Sequence, residues 1–134
     1  SGVFESPPLD RPGDPWFHNC ALLIATTLPL EGLRAEFRRV EATLGRVRSA
    51  DRYAPRPIDV DFAAVEGFAG AVGGGLLPEP DIARRAFLAV PLAEVAPDWV
   101  LAGTGRTLGE VAAAFDPQRE QIRRLPGAEP GGSG

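Results

Sequence analysis

Apolar positions along the chain fall into patterned stretches separated by blocks of glycine and proline. Asn19 to Thr26 is a continuous apolar run of strand length, which predicts a buried central strand. Leu30, Leu33, Phe37, Val40 and Leu44 recur at helical spacing. Thr27 is placed to cap that helix, Pro29 is tolerated in its first turn, and Gly45 is placed to end it. Ile58-Asp59-Val60-Asp61-Phe62 alternates strictly, which predicts a strand with apolar residues on one face and both carboxylates on the other. Pro80-Asp81 can open a short helix through Arg85, followed by a mixed apolar stretch from Phe87 to Val95. Thr107-Leu108-Gly109-Glu110 is a capping-box pattern that predicts a last helix to Phe115.

The punctuation sets the boundaries. Ser6 to Pro15 carries four prolines and reads as an extended loop with turns, and residues 46–57 are polar and proline-bounded, again a loop. Glu66 to Gly75 is rich in small residues and predicts a flexible hairpin or loop. From Asp116 the composition turns polar and ends in PGAEPGGSG, so residues 1–115 read as the domain and 116–134 as a tail or linker. Strands and helices interleave without the regular alternation of a doubly wound sheet. An α+β sandwich, with helices packed on a small, mostly antiparallel sheet, fits best.

Composition narrows the function classes. At 134 residues, 44% hydrophobic and 24% charged, the chain is one domain in size and too apolar to be disordered throughout. A net charge of −4 argues against a globally basic nucleic-acid binder. No apolar run is long enough to span a bilayer and no signal-peptide layout opens the chain, so no membrane partner is expected. The single cysteine, Cys20, excludes an internal disulfide and points to a reducing, cytoplasmic compartment. The absence of methionine predicts a fragment or processed form. All 14 basic residues are arginine, which stays charged and binds phosphate through a bidentate fork.

The arginines cluster. Arg34, Arg38, Arg39, Arg46, Arg48, Arg52 and Arg56 face only three acidic residues between positions 34 and 56, a local charge of +4. That segment is either a solvated charged face or a seat for a polyanion. It leads into Asp59 and Asp61, which share a strand face and repel each other unless cations bridge them. Hard oxygen donors of this kind suit Mg²⁺. A lone DxD is a weak signal, but one directly after an arginine-rich loop describes a site for a metal-bound nucleoside triphosphate. Gly73-Gly74-Gly75 has no neighbouring lysine, serine or threonine and reads as flexibility alone. His18, the one histidine, reads as structural, and one histidine with one cysteine cannot build a zinc site.

These residues resemble the 6-hydroxymethyl-7,8-dihydropterin pyrophosphokinase family. The resemblance is carried by Ser6-Pro7-Pro8-Leu9, Phe17-His18-Asn19, Glu41, Gly45-Arg46-Val47-Arg48, Arg52-Tyr53-Ala54-Pro55-Arg56-Pro57-Ile58-Asp59-Val60-Asp61, Leu77-Pro78, Arg85, Phe87 and Pro91-Leu92. It implies a ferredoxin-like α+β fold and transfer of pyrophosphate from ATP to the pterin hydroxymethyl group, releasing AMP, in folate biosynthesis. By position, Asp59 and Asp61 would hold two Mg²⁺ ions along the triphosphate. Arg46 and Arg56 would neutralise phosphate charge as the bond breaks, and Arg48 and Tyr53 would belong to a loop closing over the substrates. Glu41, Arg52 and Arg85 would line the nucleotide side. Ser6, Pro7, Pro8 and Leu9 would form the pterin pocket with Asn19, Phe17 and Phe87. A flat pterin needs apolar faces plus an amide that donates and accepts at once, and Asn19 supplies that amide. Plain core packing is the alternative for Phe17, Tyr53 and Phe87.

The chain also departs from the family pattern. The family's first strand, Gly-Ser-Asn loop and helix are absent from this sequence, so an N-terminal truncation is expected, with an exposed sheet edge open to homodimerisation. Glu79 stands where the family has a histidine that contacts the ATP phosphates, and a carboxylate there would repel them. Two readings follow: a working pyrophosphokinase, or a degenerate member that keeps nucleotide and metal binding as an interaction module. The tail could also join the chain to another folate-pathway domain.

Overall fold

The computed structural model describes residues 1–8, 16–45, 59–72 and 75–126. In chain order the elements are β1 (Phe4–Ser6), β2 (Phe17–Asn19), α1 (Leu30–Gly45), β3 (Gly70–Val72), β4 (Gly75–Leu77), a 3₁₀ turn (Pro80–Ala83), α2 (Ala86–Val95), β5 (Val100–Leu101), β6 (Arg106–Thr107), α3 (Leu108–Ala113), α4 (Pro117–Glu120) and β7 (Arg123–Arg124). Among the described residues this is an α+β architecture in which every strand pair is antiparallel: a sheet of order β2-β1-β7 and the hairpins β3-β4 and β5-β6. The chain divides into two compact units, one of Ser1–Ile24 with Ala63–Gly134, the other Ala25–Phe62.

The larger unit is held by a core of Ile82, Ala89, Leu101, Leu108 and Val111, drawn from the 3₁₀ turn, α2, β5 and α3. Local signals set its edges. Thr107 accepts from the Glu110 N–H at 3.1 Å while the Glu110 carboxylate accepts from the Thr107 N–H at 3.0 Å, the capping box read from sequence. The turn between β5 and β6 uses Gly103 and Gly105 at φ of 87° and 68°, a region that costs glycine little. Ile82 has no exposed surface. Ile82→Ala is expected to cost about 3 kcal/mol through lost transfer energy and the cavity left behind, read as a lower urea midpoint with an unchanged slope.

Three sequence expectations are corrected. The run from Asn19 to Thr26 is not a buried strand: β2 covers only Phe17–Asn19, and Leu22, Leu23 and Ile24 are exposed. The ladder with β1 ends at Phe4 opposite Asn19, and Ser1 then bonds Ala21 in both directions, so residues beyond Ala21 find no ladder partner among those described. Phe87 to Val95, read only as mixed and apolar, is helix α2 with Pro91 inside it. A helix apolar on all sides leaves no amphipathic stripe to read. Residues 116–125 are not a tail. Asp116 caps α4 by accepting from the Gln118 N–H, Ile122 is buried, and β7 completes the sheet beside β1. Their polar composition reflects a short edge strand whose side chains form ion pairs, not an absence of structure.

Glu94 ties this end of the chain to the beginning. Its carboxylate accepts from the Gly2 N–H at 2.6 Å and from the Arg124 guanidinium at 3.2 Å, which together hold it below the usual carboxylate range, the amide contributing most. A depressed folded pKa stabilises above the unfolded value and is lost as pH falls through the folded one. Glu94→Gln is therefore expected to lower stability at pH 7 by no more than about 1 kcal/mol after screening, read from the urea midpoint, with the difference closing under acid. Among the described residues no helix is long and apolar enough to cross a membrane.

Candidate active site

The smaller unit carries the acidic pair. α1 forms where the apolar spacing predicts it: the Leu33 N–H bonds the Pro29 carbonyl at 3.0 Å, and the Thr26 hydroxyl accepts from the Leu28 N–H at 3.0 Å just before the helix. Residues 59–62, expected as a strand, have no ladder partner among the described residues. The alternation survives in burial alone: Asp59 and Asp61 are exposed, while Val60 and Phe62 are half-buried. What replaces the ladder is α1 itself. The Phe62 ring packs on Phe37 with centroids 4.7 Å apart, and the Val60 N–H donates to Oε2 of Glu41 at 2.7 Å. The other Glu41 oxygen accepts from Arg38 Nη1 at 2.7 Å. Arg38 is held more firmly charged by Glu41 first, with smaller contributions from Asp61 and Asp59. Sequence reading assigned Arg38 no role beyond the local positive charge, although its i,i+3 spacing to Glu41 was legible. Arg46, Arg48, Arg52, Tyr53 and Arg56 lie outside the described residues.

The larger unit carries the residues expected around a flat ring. In the β1–β2 ladder Ser6 stands opposite Phe17 and Phe4 opposite Asn19, which puts these four side chains on one sheet face. Phe17 is 58% exposed and Asn19 half-buried, so the outer part of this face is open. Ser6 is 5% exposed, and its Oγ has no hydrogen-bond partner among the described residues. A buried hydroxyl without a partner is costly. Pro7 and Pro8 follow it, half-buried, and Leu9 lies outside the described residues. α2 packs against β1 and β2, with exposed Arg85 just before its first turn and half-buried Phe87 within it. His18 points to the opposite face, where its Nε2 lies 3.3 Å from Glu5 Oε2, in keeping with a structural role. Arg123 also pairs with Glu5 and, ahead of His18, keeps that carboxylate below its ordinary range.

Glu79 resolves differently from its expected clash with phosphate. Its side chain caps the 3₁₀ turn by accepting from the Asp81 N–H at 3.3 Å, and its own N–H bonds the Ala63 carbonyl at 2.8 Å. The carboxylate is thus engaged by its own turn, the ordinary work of an acidic N-cap.

A family model described as 7,8-dihydro-6-hydroxymethylpterin-pyrophosphokinase matches residues 1–97. The chain belongs to that family. Among curated pyrophosphokinases named for 2-amino-4-hydroxy-6-hydroxymethyldihydropteridine, the Methylorubrum extorquens protein is 41% identical over 117 residues, 87% of this chain and 72% of that one. The Synechocystis protein is 29% identical over 116 residues, and there the chain spans 58% of the relative's length. The folic acid synthesis protein FOL1 of Dictyostelium discoideum is 30% identical over 100 residues, only 15% of its length. Family and relatives thus carry the names of pyrophosphokinases and of folic acid synthesis. Of the pyrophosphokinase-like motif residues, the structure gathers Glu41 with the Asp59–Asp61 segment in one unit, and Ser6, Phe17 and Asn19 on one face in the other.

Proposed function

We propose that this chain transfers pyrophosphate from ATP to 6-hydroxymethyl-7,8-dihydropterin, releasing AMP, in a Mg²⁺-dependent step of folate biosynthesis. The observation that carries the reading is the exposure of Asp59 and Asp61 to either side of the half-buried Val60. The donor chemistry fits the ion: Asp59 and Asp61 are two exposed, hard carboxylates. Two carboxylates suit Mg²⁺, which keeps waters and takes further oxygens from a bound triphosphate. When bound there, two such ions would neutralise the triphosphate and hold it for in-line transfer. In the transfer, the pterin hydroxymethyl oxygen forms a bond to the β-phosphorus of ATP. The bond from that phosphorus to the oxygen shared with the α-phosphate breaks, AMP leaves with the electron pair, and the hydroxyl proton passes to water.

The remaining roles follow the motif positions. Arg46 and Arg56 neutralise charge on the transferring group. Arg48 and Tyr53 close over the substrates, while Arg52 and Arg85 line the nucleotide side. Asn19 reads the pterin edge, Phe17 and Phe87 cover its faces, and the segment from Ser6 to Leu9 forms the rest of the pocket. The antiparallel sheets and packed helices support a ferredoxin-like arrangement of this pyrophosphokinase-like domain. The FOL1 relative, far longer than the matched region, supports a role that can be combined with further folate-pathway domains. The capping role of Glu79 gives that carboxylate a structural employment, which lessens its weight in favour of a binding-only module. Release of AMP from Mg·ATP, measured with and without the pterin, tests the proposal. Pterin-dependent AMP is the expected result, and AMP release indifferent to the pterin would overturn it.

A further inference from the structure

Glu41 is expected from its motif position to line the nucleotide side, yet both its oxygens engage the protein: one accepts from Arg38, the other from the N–H of Val60, each at 2.7 Å. Val60 is the residue between Asp59 and Asp61. The Val60 N–H lies in the peptide plane that joins Asp59 to Val60, so this bond orients the backbone at Asp59 directly and anchors the residue just before Asp61. The Phe37–Phe62 contact secures the far end of the same segment but sets no hydrogen-bond direction. Glu41 is only 14% exposed at its side chain, and Arg38 fixes one oxygen so that the other faces Val60.

We infer that Glu41 is a positioning residue, holding the Val60 amide so that Asp59 and Asp61 are presented together to the metal-bound triphosphate. This rests on the reading of the pair as Mg²⁺ ligands. Reach and charge are separable here. Glu41→Asp keeps the charge but is one methylene too short to span to the Val60 N–H. Glu41→Gln keeps the length and an acceptor oxygen, and Arg38, largely exposed, can turn to solvent when its partner becomes an amide.

The test titrates Mg²⁺ against a fluorescent ATP analogue bound to the protein, with hydrogen exchange of the Val60 amide followed in parallel without metal or nucleotide. Supporting loss of reach, Glu41→Asp is expected to raise the half-saturating Mg²⁺ about tenfold and to speed Val60 exchange. Glu41→Gln should stay within about threefold of wild type on the same scale. Glu36→Ala, which breaks a neighbouring ion pair with Arg39 on the same helix, should move neither reading. Nucleotide affinity at saturating Mg²⁺ should be alike in all variants. The reverse order, with Gln damaging and Asp mild, would mean that the charge acts directly on ion or nucleotide and would overturn the positioning role. Unchanged Mg²⁺ dependence in both Glu41 variants would overturn it too. Absence of Mg²⁺-dependent nucleotide binding in the wild-type protein would instead remove the metal reading of Asp59 and Asp61, and the positioning role with it.

Discussion

Replacing Asp59 with alanine is expected to lower pterin-dependent AMP release by at least about 100-fold while leaving the fold intact. Outer groups that merely orient a metal ligand already cost 10- to 100-fold when removed, so loss of a ligand itself sets that as a floor. The side chain is exposed, which confines the expected change in stability to within about 0.5 kcal/mol. Asp61→Ala should behave alike, and the double variant should be scarcely worse than either single one, because carboxylates that hold the same pair of ions act as a unit. Raising Mg²⁺ should recover part of the loss in Asp59→Asn, which keeps one oxygen donor, and none in the alanine variant. Equal activity in wild type and Asp59→Ala would show that the pair has no catalytic part. The measurement is AMP release at several Mg²⁺ concentrations, alongside urea midpoints that register any damage to folding.

The parts of this molecule that were legible in sequence are those set locally. The amphipathic spacing from Leu30 to Leu44 and the Thr107–Glu110 capping box gave elements that the structure contains. Each depends on residues within one or two turns of one another. The parts that were not legible depend on partners distant in sequence. The Asn19 to Thr26 run has strand composition, yet a strand requires a neighbour to bond, and its ladder stops at Asn19. Residues 59–62 alternate as a strand does, but a glutamate 19 positions earlier takes the Val60 N–H, a contact with no local signal. β7 was hidden in a polar stretch because its place is fixed by β1, more than a hundred residues away.

The candidate site divides along the same line. The motif spelled out residue types, and the structure adds how Glu41, one of its members, and Glu79, a departure from it, are employed. Glu79 is turned into its own helical turn, and Glu41 is turned toward the backbone of the acidic segment. Neither orientation follows from the letters, since an acidic side chain beside a predicted phosphate site can face it, cap a turn or brace a neighbour. That Phe17 and Asn19 share a face was legible through strand alternation, whereas β1, which sets Ser6 opposite Phe17, was not. Nor was the unsatisfied Ser6 hydroxyl, because burial is a property of the packed sheet.

That face yields the second large effect. Asn19→Leu is expected to weaken binding of the pterin between about 10- and 100-fold, with binding of Mg·ATP unchanged. The site's amide donates and accepts at once, so an apolar replacement leaves the ring's polar edge buried and unpaired, which costs more than the lost bond alone. Mg·ATP is the internal control, since Asn19 is proposed to read the pterin edge and no part of the nucleotide. Ser6→Ala separates pocket from packing by the sign of its effect. Its buried hydroxyl has no partner among the described residues, so removing it should leave the free protein as stable or more stable by up to about 1 kcal/mol. If that hydroxyl is satisfied only by the ligand, the same substitution should weaken the pterin. Calorimetric titration of the pterin into wild type, Asn19→Leu and Ser6→Ala, set against their urea midpoints, decides the matter. Loss of stability in Ser6→Ala with unchanged pterin affinity would make the hydroxyl a packing element, and an Asn19→Leu variant that binds the pterin normally would move the pocket elsewhere.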